Sequence, residues 1–141
     1  MKAIDASLLR DRNRVLEAHL VRLRAALPAD PAEFERGAVA VDTVSLYLFL
    51  SIQIVLDLSV FACIHFGLQA PASYDDAVAR LAHAGRISGS LSARLEAAAS
   101  FRDAFVHAYD DLDPASIYRG AKTLPDDLQM LIADLSGHVG E

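Results

Sequence analysis

Leucines recur at helical spacing through the first thirty residues. Leu9, Leu16, Leu20, Leu23 and Leu27 fall three, four or seven apart, the stripe of an amphipathic helix from about Asp5 to Leu27. Pro28 and Pro31 end it. A second helix starts near Ala32 and reaches Phe66, with Gly67 as its stop. Its second half, residues 44–66 (VSLYLFLSIQIVLDLSVFACIHF), is apolar nearly all round. Ser73-Tyr74-Asp75-Asp76 opens a third helix in the manner of a capping box, and Gly85 closes it. A fourth begins after Ser88-Gly89-Ser90 and runs to about Tyr109 or Asp111. Asp113-Pro114 reads as N-cap and first residue of a fifth helix, and Thr123-Leu124-Pro125-Asp126 restarts a last one that ends near Gly137. No alternating strand pattern and no internal repeat occurs. The pattern predicts an all-α fold: an up-and-down helical bundle of four main helices plus a short C-terminal helix, one domain over residues 1–141.

The apolar run at 44–66 admits two readings. At about 1.5 Å per residue it is long enough to span a bilayer. Against that, Gln53 and Asp57 sit near its middle, and no Lys or Arg occurs between Arg36 and Arg80. A central Asp costs about 2.5–3.5 kcal/mol on insertion, and the basic flank expected of a spanning helix is missing. A helix buried on all sides, by its own bundle and by a second subunit, fits better, and no membrane association is expected.

Composition changes this picture little; charge adds one feature. Apolar residues make up 53% of the chain, enough for a sizeable core at this length. The single cysteine, Cys63, lies inside the apolar run, so neither an internal disulfide nor a Cys/His metal site is expected. The N-terminal residues alternate charged and apolar, without the apolar core of a signal peptide, which points to the cytoplasm. The net charge of −6 argues against a surface devoted to nucleic acid. Yet residues 1–24 carry Lys2, Arg10, Arg12, Arg14, Arg22 and Arg24 against Asp5, Asp11 and Glu17, so that end is net +3 and the rest −9. Such a strip is either a solvated helix face or a local site for a nucleic-acid backbone.

Only the segment from Phe101 to Asp113 breaks local rules. Asp110 and Asp111 fall at the negative end of the helix dipole, where acids are disfavoured. At about 100° per residue Arg102 and Tyr109 share one face, and Asp103 and His107 share another, so the carboxylate can hold the imidazole. Arg102 and His107 lie about 140° apart and cannot converge on a small ligand without a distortion or a second subunit. A two-fold homodimer would join two copies of the helix into one composite cleft. The residue types suit cleavage of RNA without a metal. Histidine exchanges protons near neutrality, and arginine grips a phosphate with its bidentate fork. Gln53 and Asp57, four apart on the buried helix, must find polar partners; they either orient the fourth helix and its Arg102 or bond across the dimer.

Arg102-x4-His107-x-Tyr109 resembles the R-x4-H-x-Y motif of HepT-like proteins, a toxin branch of the HEPN superfamily. Its surroundings are similar too: Phe101 before the Arg, Val106 before the His, Asp-Leu-Asp-Pro-x-x-x-Tyr at 111–118, the Gln53-x3-Asp57 pair, and Ala70-Pro71-x-Ser73-Tyr74. The resemblance covers about residues 5–136. It implies a helical homodimer with its cleft at the subunit interface, and a metal-independent ribonuclease with Arg102 and His107 as the catalytic pair. No bound cofactor is implied. The implied partner is a minimal nucleotidyltransferase antitoxin, which uses ATP to place AMP covalently on the motif tyrosine, here Tyr109. RNA is the implied substrate, and Asp103, Asp57 and Gln53 are supporting residues. The family commonly has Asn after the motif Arg, where this chain has Asp103. An anion beside a phosphate site repels RNA, so the alternative is a non-catalytic HEPN dimer that binds a nucleotide, RNA or partner.

Overall fold

Each helix in the computed structural model, which describes residues 4–139, begins or ends for a local reason. Helix α1 (Ala6–Ala26) is capped by Asp5, whose carboxylate accepts the Ser7 N–H at 2.9 Å. Its buried residues, Leu9, Leu16, Leu20 and Leu23, are the stripe read from the sequence. Asp30 caps α2 (Pro31–Arg36) at the Ala32 N–H, with Pro31 as first residue.

The single helix predicted over residues 32–66 is two. Gly37, at φ −100° and ψ 87°, separates α2 from α3 (Ala38–His65). Its N–H closes the short helix on the Phe34 carbonyl (3.1 Å), and its carbonyl accepts the Val41 N–H (2.9 Å) to start the long one. Glycine is the poorest ordinary helix former, and Phe34, fully buried with its ring 5.4 Å from that of Tyr118, anchors α2 independently.

Helix α3 runs 28 residues and packs against every other helix, so its apolar character follows from its central position. It is long and apolar enough to cross a membrane, with mean hydropathy 2.1, and half of that stretch is buried within the chain. Leu46, Phe61 and Ile64 face outward. Its buried hydroxyls at Ser51 and Ser59 donate to carbonyls four residues back. Gly67, at φ +73°, ends α3 in a left-handed turn, and the Leu68 N–H returns to the Cys63 carbonyl (2.9 Å).

Helix α4 (Tyr74–His83) opens as the sequence implies: the Ser73 hydroxyl accepts the Asp76 N–H, and Asp76 accepts from the Ala72 N–H. Helix α5 (Gly89–His107) gives way at Ala108 to a 3₁₀ turn over Tyr109–Asp111. Asp113 then caps α6 (Pro114–Ser136).

The predicted restart at 123–126 does not occur, and the C-terminal helix is not short: α6 runs 23 residues straight through Pro125. Proline there removes one helical N–H, the partner of the Ala121 carbonyl. That loss is offset by burial of Leu124, Pro125 and Leu128 on the same face. Tyr118 ties this helix to the connection between α1 and α2, its hydroxyl directed at the carbonyls of Pro28 (2.9 Å) and Ala29 (3.0 Å). One hydrophobic core extends through all six helices.

Candidate active site

Helix α5 delivers Arg102 to the middle of α3. The Arg102 Nε–H donates to Gln53 Oε1 at 3.1 Å. Gln53 Nε2 in turn donates to Asp57 Oδ1 and to the Tyr74 hydroxyl, both at 2.9 Å. Tyr74 closes the triangle by donating to the same Asp57 oxygen, also at 2.9 Å. The guanidinium lies over the Tyr74 ring, 5.2 Å from its centre. Three helices thus fix one charged group, and the two polar residues of the apolar helix find partners on α4 and α5. Arg102 is three-quarters buried. Its NH2 group has no hydrogen-bond partner among the described residues and remains available to an anion.

Asp103 does not hold His107. Its carboxylate lies 3.2 Å from Arg102 NH1 instead, because this nearest cation satisfies it without leaving the solvent-facing side of α5. His107 stands exposed in the last turn of α5, with no hydrogen bond or ion pair among the described residues. Helix α5 is regular from Arg102 to His107, so the angular separation expected from the sequence stands and the two side chains point apart.

Tyr109 lies beyond the helix. Ala108, at φ −149° and ψ 46°, breaks it, so Asp110 and Asp111 escape the unfavourable end of the α5 dipole by sitting in the 3₁₀ turn. Tyr109 therefore does not share a helical face with Arg102. Its ring packs edge-on against Phe105 at 5.1 Å, and Phe105 stacks on Phe49 of α3 at 4.3 Å. Its hydroxyl donates to Asp42 Oδ1 in the first turns of α3. That hydrogen bond, with burial and the Asp42 charge adding to it, raises the phenol above the usual tyrosine range.

The surroundings of Arg102 are acidic. Asp75, on α4, is raised above the usual carboxylate range, first by burial and then by repulsion from Glu96 and Asp103. Among the described residues no group of three His, Cys, Asp or Glu side chains is placed to hold a metal ion. The structure brings Arg102, Gln53, Asp57 and Asp103 together and leaves His107 and Tyr109 apart from them. Two members escaped sequence reasoning. Tyr74 looked like part of a helix start. Asp42 precedes the apolar run at 44–66, yet it and Asp57 are the only acids in α3, and that was the available signal.

An all-helical bundle that carries R-x4-H-x-Y at the end of a helix, its arginine pinned by a second helix, matches the HEPN-like helical fold. The chain belongs to the HepT-like family: the family model, described as Ribonuclease HepT-like, matches residues 16–135. Comparison with curated proteins found no match. Among solved structures, a toxin–antitoxin complex with AMP-PNP is 18% identical, with a TM-score of 0.84 over 93% of this chain and 98% of that one. The tri-AMPylated HEPN toxin of Shewanella oneidensis, in complex with its MNT antitoxin, is 19% identical, with a TM-score of 0.82 over 92% and 96%. YutE of Bacillus subtilis, a cytosolic protein of unknown function, is 20% identical, with a TM-score of 0.80 over 97% and 92%. At these identities the likeness shows the shared fold.

Proposed function

We propose that the chain is a metal-independent ribonuclease toxin acting as a cytoplasmic homodimer and controlled by a minimal nucleotidyltransferase antitoxin. The family's description supports the ribonuclease role, and the toxin–antitoxin complexes that share the fold support the partner. The observation that carries the reading is Arg102. A guanidinium buried to three quarters, held at Nε by Gln53 and with no NH2 partner among the described residues, is oriented for a phosphate before one arrives.

Each chain supplies one His107, and the dimer supplies two. One takes the proton of the RNA 2′-hydroxyl as that oxygen attacks the adjacent phosphorus; the other protonates the departing 5′-oxygen. Arg102 stabilises the charge gathering on the phosphorane between them. AMP carried from ATP to Tyr109 by the transferase would set a nucleotide and a negative charge at the mouth of this cleft and close it.

Expression without the transferase is expected to arrest growth, and His107→Ala to relieve the arrest. Equal toxicity of the two forms would refute the assignment. The Asp103 carboxylate on Arg102 favours a second reading, a non-catalytic module that binds RNA, a nucleotide or the transferase. In that case Asp103→Asn creates or raises cleavage; binding of RNA with no cleavage in either form selects the module.

A further inference from the structure

Asp42 has no part in RNA cleavage as drawn above, yet it is the hydrogen-bond acceptor of the Tyr109 hydroxyl, 67 residues away in sequence. Everything around that hydroxyl fixes its position. Phe105 holds the ring edge-on, Phe49 holds Phe105, and the Tyr109 carbonyl accepts the Leu112 N–H at 3.1 Å to close the turn. Ser45, one turn beyond Asp42, lies beside the same phenol; it is fully buried, and its hydroxyl makes no hydrogen bond of good geometry among the described residues. Tyr109 remains 38% exposed, and Asp42 is exposed as well, so a second protein can reach the oxygen while the carboxylate holds its proton. A tie between two exposed groups contributes little to stability. A carboxylate on a surface phenol is well placed for something else, which is to receive the proton.

We infer that Asp42 is the general base for nucleotide transfer to Tyr109, an inference that rests on Tyr109 being the acceptor of AMP. The phenol oxygen attacks the α-phosphorus of ATP bound in the transferase. The oxygen–phosphorus bond forms, the bond from the α-phosphorus to the β-phosphate oxygen breaks, and pyrophosphate leaves. The phenol proton passes to Asp42 Oδ1, already its hydrogen-bond partner. Because the same carboxylate disfavours free phenolate, the oxygen becomes nucleophilic only as its proton is taken, which confines reaction to a correctly docked nucleotide.

The test uses the full chain, a minimal nucleotidyltransferase of the MNT type and ATP, with adenylylation of Tyr109 followed by peptide mass spectrometry. Asp42→Asn keeps an acceptor oxygen in place and removes the basicity. General bases contribute about 100- to 10,000-fold, so kcat is expected to fall at least ~100-fold. KM for the chain and the melting temperature should stay near wild type. A second variant separates proton transfer from placement: trifluorotyrosine at 109, whose hydroxyl releases its proton more readily, should recover at least ~10-fold of the rate lost in Asp42→Asn. An Asp42→Asn rate within about threefold of wild type, or a loss that trifluorotyrosine does not repair, overturns the base assignment and leaves the AMP reading intact. Failure of the wild-type chain to accept AMP at Tyr109 overturns both.

Discussion

Replacing Gln53 with leucine tests whether the polar triangle between α3 and α4 holds Arg102. Leucine keeps the bulk and removes three contacts: the acceptor for Arg102 Nε and the two donations to Asp57 and Tyr74. The Tyr74–Asp57 hydrogen bond survives, because neither partner is touched. Two of the lost contacts involve charged groups and would contribute about 1.5–3 kcal/mol each if fully buried. Arg102 is 25% exposed and Asp57 is exposed, so water recovers much of this, and a net loss of about 1–2 kcal/mol is expected. For a chain of 141 residues that lowers the melting temperature by about 3–7 °C. The effect on chemistry should be larger. An arginine displaced by about 1 Å loses up to ~100-fold in rate, so single-turnover RNA cleavage is expected to slow by about 10- to 100-fold. A double-mutant cycle with Arg102→Met isolates the pair, with an expected coupling of about 0.5–1 kcal/mol, its share of that loss. A coupling below about 0.3 kcal/mol, with unchanged melting, would show that Gln53 does not position the guanidinium.

Three further outcomes follow from contacts elsewhere. Tyr118→Phe removes the hydroxyl that links α6 to the Pro28 and Ala29 carbonyls, and should cost about 1 kcal/mol in urea denaturation, with little effect on the site. The raised phenol of Tyr109 should ionise at higher pH than an ordinary tyrosine in ultraviolet titration, and Asp42→Asn should bring it down. The folded phenol holds its proton more tightly than the unfolded one, so this contribution is intact below the ordinary tyrosine value and is lost as pH rises through the folded one. Pro125→Ala restores an N–H for the Ala121 carbonyl. A gain of about 3 kcal/mol in helix propensity outweighs the loss of two buried methylenes at about 0.8 kcal/mol each, so the melting temperature should rise by a few degrees.

Hydrophobic period and capping residues made most of the helices legible. The leucines of α1, the caps at Ser73 and Asp113, and the stop at Gly67 all act through neighbours within a few positions, which is what a sequence displays. Gly37 and Pro125 misled because each depends on tertiary packing. Gly37 interrupts a helix because Phe34 is anchored from elsewhere, and Pro125 is tolerated because its ring is buried. The same division holds at the site. Gln53 and Asp57 announced themselves as polar groups on an apolar helix, and the need for partners pointed to Arg102. The Asp42–Tyr109 contact was invisible, since it exists only because α5 stops at His107 and the following turn carries the phenol across to α3.

The length of α6 bears on the order in which a ribosome releases the chain. Arg102, His107 and Tyr109 emerge before the helix that supplies nine buried residues, from Ile117 to Leu135, and that packs on α1, α2, α3 and α5. A nascent or prematurely terminated chain therefore carries every residue of the motif while its core lies open along one whole side. A chain that stops before this helix is therefore expected to be cut by proteases faster than the full one.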